Sequence, residues 1–229
     1  MLTAAEWAIL ALSLRVSLVA VAVTLPVAFV LAWVLARSRF PGKVLLDALV
    51  HLPLVIPPVV TGWLLLLLFG RGGPVGAWLE AQFGFVFMFR WTGAALAAGI
   101  MALPLMVRAM RLSIEAVDRR LEAAARTLGA SRWRAYATIT IPLSFPGVLA
   151  GAVLGFARSI GEFGATITFV SNIPGETQTL PLAIYAALQV PDGEASVTRL
   201  AILSVLLSLV ALTASELMVR RGGRDIHAV

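Results

Sequence analysis

Two charged residues, Arg158 and Glu162, stand inside an otherwise apolar run of the sequence between Ala135 and Val170. A charge facing hydrocarbon would cost at least about 2.5–3.5 kcal/mol, so charged side chains in membrane segments face protein or a polar path. The pattern leaves two interpretations open. In the first, the two residues form a structural ion pair between helices. In the second, they form an outer gate in which Arg158 attracts an anion, and Glu162 neutralises the charge of Arg158 when no anion is present.

Small residues recur at every fourth position of the same run, a pattern typical of closely packed membrane helices. They are Gly147, Gly151, Gly155 and Ser159. At about 100° per residue the two charges fall on this face. The opposite face carries Phe145, Leu149, Val153, Phe156 and Ile160. We therefore expect the charges to face protein or a pore and the bulky side to meet lipid. Gly161 and Gly164 flank Glu162 and predict a looser helix there.

Two adjacent prolines, Pro57 and Pro58, interrupt an earlier apolar run. They remove two backbone donors, so the helix should open locally. This opening is either a simple kink or a broken helix that lines a cavity, where irregular backbone is tolerated at membrane depth. On the second interpretation, Pro57, Pro58 and Thr61 join Arg158, Ser159, Gly161, Glu162 and Gly164 as candidate pathway or gate residues.

A charged segment, 121–134, precedes the run that carries the ion pair. It is rich in Ala and Leu and has no Pro, so it predicts a helix with a break at Gly129. One apolar face results from helical spacing. Its members are Leu121, Ala124, Ala125 and Leu128. Such a face fits a groove on another protein or lies flat on lipid headgroups, and the pattern alone favours neither.

The sequence shows no cluster of residues of the kind that most catalytic or metal sites need. There is no Cys, and the two His residues, His51 and His227, are isolated from other metal ligands. No Gly-x-x-x-x-Gly-Lys-Ser/Thr motif occurs, so the chain is not expected to bind and hydrolyse ATP in the usual way. Basic runs are not interleaved with aromatic residues as a nucleic-acid site would need. We expect no enzyme activity, no cofactor or metal in this chain, and no nucleic-acid partner.

Composition places the chain in a membrane. Of its 229 residues, 60% are hydrophobic and 13% are charged, about half of the ~25% that is usual in soluble domains. The first apolar run is too long for a cleaved signal and is expected to stay in the bilayer. The sequence therefore predicts a single all-α membrane domain, 1–229, with five spans. These spans lie at about 12–36, 48–70, 91–112, 142–170 and 199–219.

The distribution of Lys and Arg predicts the orientation. Thirteen of these residues fall on one side of the predicted spans and three on the other, leaving Arg15 and Arg158 within spans. Because positive loops stay in the cytoplasm, the N-terminus is expected outside and the C-terminus inside. The segment 121–134 is then cytoplasmic.

One motif resembles a known family. The run Glu122-Ala-Ala-Ala-Arg-Thr-Leu-Gly129, followed after nine residues by Ile139-x-Ile-Pro142, is similar to the EAA loop of ABC-importer permeases. The resemblance implies a coupling helix that sits in a cleft of an ATPase subunit. It assigns that contact to Glu122, Ala123, Ala124, Ala125, Arg126, Thr127, Leu128 and Gly129. The family's spacing places the acidic residue of the motif at Ala123, and Glu122 lies one position earlier.

Further segments resemble the molybdate/sulfate branch of these permeases. They include Phe156-Ala-Arg-Ser-x-Gly-Glu-Phe-Gly-Ala165 and Ser171-Asn-Ile-Pro-Gly-Glu-Thr177. The resemblance implies a type I importer fold in the cytoplasmic (inner) membrane and a homodimer. It also implies two ATPase subunits, which hold ATP and Mg²⁺, and an extracytoplasmic binding protein that delivers a tetrahedral oxyanion.

The cargo that this resemblance implies is molybdate, with sulfate or tungstate as the alternative. An ion-coupled secondary transporter is a competitor from another class. It would favour several intramembrane carboxylates and an internal repeat, whereas the sequence has one such carboxylate and no clear repeat. A membrane enzyme would need a cluster of His, Asp or Glu.

Overall fold

The computed structural model describes residues 2–191 and 193–226, and the side chains of 211 and 214–226 lie outside the description. The described chain is helical, with no strand. Its helices are α1 (Ala4–Arg37), α2 (Lys43–Val55), α3 (Pro58–Phe69), α4 (Pro74–Phe83), α5 (Trp91–Ala116), α6 (Arg119–Thr127), α7 (Arg132–Ala135), α8 (Ile141–Ile160), α9 (Gly164–Val170), α10 (Leu180–Leu188) and α11 (Glu194–Ile226). A π-helical turn, Tyr136–Thr140, joins α7 to α8.

Helix α5 lies at the centre of the fold, where it packs against both α1 and α8. Small side chains line these contacts: Ala28 and Ala32 of α1 and Ala97 and Ala102 of α5 are fully buried. Small residues let helix backbones approach closely. In a membrane the hydrophobic effect does not drive helices together, and this close van der Waals packing is a main source of their association. The three helices therefore form a close-packed frame for the other elements.

The stretch predicted as the second span, 48–70, is two helices rather than one. Helices α2 and α3 meet at an angle of 115°. Pro57 is the N-cap of α3 and Pro58 is its first residue, a position where the missing N–H of proline costs nothing. The local opening predicted from the two prolines is therefore observed, and it is a sharp bend.

Among the residues that the structure describes, three helical stretches are long and apolar enough to cross a membrane: α1, α5 and the continuous run Arg132–Ile160. The bent pair α2–α3 would make a fourth if it counts as one span. The predicted last span, 199–219, falls in α11. The side chains of Arg220, Arg221 and Arg224, which entered the charge count, lie outside the described residues, and the five-span count stays a prediction.

The predicted span 142–170 is also interrupted. Helix α8 ends at Ile160, and α9 begins only at Gly164, so the loosening predicted at Gly161 and Gly164 is a complete break. The bulky face of α8 is partly as expected, because Phe145 is 58% exposed. The expectation that Ile160 meets lipid is wrong, since this residue is buried. The helical wheel assumed a continuous helix, whereas the chain turns away directly after Ile160.

The starts of α1 and α11 meet on one side of the bundle. Thr3 and Glu6 cap α1 reciprocally, with Glu6 N–H donating to the Thr3 hydroxyl and Thr3 N–H donating to the Glu6 carboxylate. Arg199 of α11 donates from Nε to Glu6 Oε1 at 2.8 Å. The Glu6 side chain is buried, so this ion pair fixes the start of α11 against the start of α1.

Candidate functional site

The candidate coupling segment is two short helices with a turn between them, instead of the single interrupted helix predicted for 121–134. Asp118 caps α6 by accepting a hydrogen bond from Arg120 N–H at 2.8 Å. Helix α6 ends before Gly129, whose φ of +89° is a conformation that glycine adopts readily. Ser131 then caps α7. The break predicted at Gly129 is therefore confirmed.

Glu122 points into the protein. Its Oε1 lies 3.0 Å from Nη2 of Arg37 and accepts a hydrogen bond from the Thr140 hydroxyl at 2.6 Å. The side chains of Arg37 and Glu122 are only 8% and 14% exposed. The same Nη2 donates to the carbonyl of Ile114 at 3.2 Å. The Glu122 carboxylate thus connects α6 to the end of α1 and to the π-helical turn before α8, and Arg37 extends this connection to the last turns of α5.

The remaining residues of the predicted coupling motif are mostly at the surface. The exposed ones are Ala123, Ala124, Arg126, Thr127, Leu128 and Gly129, and Ala125 is half-buried. Leu128 is 89% exposed and Leu121 is 47% exposed. Because large apolar side chains cluster here beside alanines, this surface has the character of a docking face.

Arg158 and Glu162 form the ion pair that the sequence allowed. Arg158 Nη1 lies 2.6 Å from Glu162 Oε2, and the Glu162 side chain is 2% exposed. The other carboxylate oxygen, Oε1, accepts a hydrogen bond from Ala165 N–H at 2.8 Å. Glu162 lies in the break between α8 and α9, so the pair holds the two helices together. Arg158 keeps 25% of its side chain exposed.

The small-residue face of α8 packs on α5. A Cβ atom added to Gly155 would lie 2.6 Å from Met106 Sδ, and one added to Gly151 would lie 3.0 Å from Met110 Cε. A Cβ atom at Gly147 would overlap with Ser113 of α5. The expectation that this face turns to protein is therefore confirmed.

The structure brings the prolines of α3 to the break after α8. A Cβ atom added to Gly164 would lie 2.7 Å from Pro58 Cβ, and one added to Gly62 would lie 2.6 Å from the carbonyl oxygen of Ala165. Helices α3 and α9 thus meet backbone to backbone.

Two of the predicted pathway residues, Thr61 and Ser159, are buried. Thr61 directly precedes Gly62, and Ser159 lies in the last turn of α8, just before the break. The hydroxyl oxygens of Thr61 and Ser159 have no hydrogen-bond partner among the described residues. Pro57, Pro58 and Gly161 are exposed. The predicted pathway residues of α3 and of the α8–α9 break therefore include both surface positions and free buried hydroxyls.

Sequence reasoning missed Arg37 and Thr140. Arg37 entered only the count of positive loop residues, although its guanidinium is buried against Glu122. No periodic pattern links residues so far apart in the chain. The one available signal was that Glu122 is displaced from the position of the acidic residue in the motif.

Comparisons with known proteins agree on one family. The family of binding-protein-dependent transport system inner membrane components matches residues 7–222. A molybdenum transport system permease protein, ModB of Escherichia coli K12, is 56% identical over 227 residues, which cover 97% of this chain and 99% of that protein. A sulfate transport system permease protein, CysT of the same organism, is 39% identical and covers 86% of this chain and 70% of its own length.

Solved structures show the same fold. A bacterial ABC transporter that imports the acidic polysaccharide alginate superposes with a TM-score of 0.75 at 19% identity. The superposition covers 96% of this chain and 80% of that chain.

Proposed function

The chain belongs to the family of binding-protein-dependent transport system inner membrane components, and from this we propose that it is the permease subunit of an ATP-driven molybdate importer. It is a multi-pass membrane protein with the helical fold of ABC-importer permeases. The observation that carries the proposal is the 56% identity to a molybdenum permease along almost the whole of both chains. Molybdate is a tetrahedral dianion, which suits a path guarded by an arginine.

The ATPase is proposed to be a separate subunit pair that binds ATP and Mg²⁺. The exposed motif residues from Ala123 to Gly129 dock in its cleft, while Glu122 holds the docked helix to the permease itself. ATP binding draws the two ATPase subunits together and moves the coupling segment. Because Glu122 bonds to Arg37 and Thr140, the movement reaches α1 and α8 directly. Two copies of the chain surround one pathway, the N-terminus lies outside, and an extracytoplasmic binding protein delivers the oxyanion.

The proposed pathway runs past the break between α8 and α9 and the bend that begins α3. Arg158 supplies a partly exposed positive charge there, and Glu162 neutralises it when no anion is present. Gly161 and Gly164 allow the break, and Pro57 and Pro58 produce the facing bend. The hydroxyls of Ser159 and Thr61, which have no hydrogen-bond partner in the described part of the chain, are available to an oxyanion when the helices separate.

Sulfate is the alternative cargo, and the 39% identity to a sulfate permease is the observation that favours it. Cells that lack their own molybdate permease separate the two. The chain is expressed there with its ATPase and binding protein, and uptake of radiolabelled molybdate is measured alone, with an excess of tungstate and with the same excess of sulfate. The proposal expects uptake that tungstate suppresses and sulfate does not. Suppression by sulfate as strong as that by tungstate would identify a sulfate permease.

A further inference from the structure

Three arginines surround a small polar cavity between α6 and α7. The cavity has a volume of about 220 Å³ and is lined by Arg119, Glu122, Ala123, Arg126, Arg132, Ala135 and Tyr136. The three arginines and Ala123 are exposed and form its mouth, whereas Ala135 is buried and Tyr136 half-buried, so these two form its floor.

The one carboxylate in the cavity wall does not balance these charges. Glu122 is committed to Arg37 and Thr140, with its side chain 14% exposed. The described residues form seven ion pairs, of which Arg37–Glu122 is one. None of the seven includes Arg119, Arg126 or Arg132, so these arginines have no ion-pair partner among the described residues. At the position where the motif of the family carries an acidic residue, this chain has Ala123. The cavity therefore has a positive potential and room for an anion.

We propose that this cavity receives a carboxylate side chain of the ATPase subunit, so that the coupling contact pairs a basic permease surface with an acidic ATPase surface. The inference rests on the proposed function, because it names the chemistry of the partner at the coupling segment. Guanidinium groups bind carboxylates with two parallel hydrogen bonds, which gives a contact of defined geometry. The apolar residues Leu121 and Leu128 beside the cavity supply the remainder of a protein interface.

A lipid phosphate is the main competing anion, and the length of α5 argues against it. Helix α5 has 26 residues and is about 39 Å long, whereas the hydrocarbon layer is about 30 Å thick. A helix of this length that stands along the membrane normal with Trp91 at one interface, where aromatic residues concentrate, extends about 9 Å beyond the hydrocarbon at its far end. Helix α6 follows this end, so its cavity lies at or beyond the outer limit of the headgroup layer.

The test compares Ala123→Glu with Ala123→Gln, which have the same shape and differ in charge. Binding of the purified ATPase to the detergent-solubilised permease is measured at low and at high salt. We expect Ala123→Glu to weaken binding at least about tenfold relative to Ala123→Gln, and wild-type binding to weaken as salt rises. A second pair, Arg126→Gln and the control Arg108→Gln, should show the loss only for Arg126, because Arg108 is exposed outside the cavity.

Other outcomes overturn the proposal. Equal binding by the two Ala123 variants, or tighter binding by Ala123→Glu, means that no carboxylate enters the cavity. If Ala123→Glu binds the ATPase normally but loses affinity for phosphatidylglycerol vesicles, the occupant is a lipid phosphate. If the wild-type chain binds no ATPase at all, the proposed function fails, and this result is visible before any variant is made.

Discussion

The buried pair Arg37–Glu122 allows a quantitative prediction. Glu122→Gln keeps the shape of the side chain and a hydrogen bond to Thr140, but it leaves Arg37 charged and only 8% exposed. Breaking a buried pair from one side typically costs about 3–5 kcal/mol. Because Arg37 retains its bond to the Ile114 carbonyl, we expect the lower end, about 3 kcal/mol. With about 2–4 °C per kcal/mol for a chain of this length, the melting temperature falls by about 6–12 °C.

The matched control is Glu115→Gln. Glu115 also pairs with an arginine, at 2.8 Å, but its side chain is 41% exposed. Exposed pairs contribute about 0–1 kcal/mol, and Arg111 would keep Asp47 at 3.1 Å. The control should therefore lower the melting temperature by no more than about 4 °C.

Thermal unfolding of the purified permease in detergent measures both variants, and the double variant Arg37→Met/Glu122→Leu completes the comparison. Removing both charges should restore most of the lost stability, because an apolar pair of similar volume replaces a desolvated ion pair. An equal small shift for Glu122→Gln and Glu115→Gln would refute the reasoning. It would mean that Arg37 finds water or another partner when Glu122 is neutral.

Three further predictions concern the other contacts of the site. Gly62→Ala places a Cβ atom against the backbone of Ala165 and should lower the free energy of unfolding by about 1–3 kcal/mol, measured by thermal unfolding. The control in the same assay is Gly72→Ala, because a Cβ atom added to Gly72 meets open space. Gly129→Ala strains a φ of +89° and should cost about 1–2 kcal/mol, seen as lower ATPase affinity or a lower melting temperature, and no change in either would contradict the turn. Glu162→Gln should lower molybdate uptake per folded permease if the ion pair guards the pathway, whereas a lower melting temperature with normal uptake would identify a purely structural pair.

Local features of the structure followed from local patterns in the sequence. The bend before Pro58, the turn at Gly129 and the packed glycine face of α8 each depend on residues close together in the chain. Their causes are the missing N–H of proline, the permitted φ of glycine and the four-residue spacing of small side chains.

Features that depend on tertiary contact were not predictable. The bond of Glu122 to Arg37 and Thr140 joins residues from three separate elements, and a single sequence contains no signal that pairs them. The buried Ile160 shows the same limit. A helical wheel predicts which face of the helix Ile160 occupies only while the helix continues. The break at Gly161 depends on the contacts of Glu162 and on the packing of α9 against α3, which a single sequence does not show.

Transport by the purified complex tests the central claim most directly. The permease is reconstituted in liposomes with its ATPase and binding protein, and accumulation of radiolabelled molybdate is measured with and without ATP and with and without an imposed proton or sodium gradient. We predict accumulation that requires both ATP and the binding protein and does not depend on the imposed proton or sodium gradient. Accumulation driven by a gradient in the absence of ATP would contradict the assignment as an ABC-importer permease.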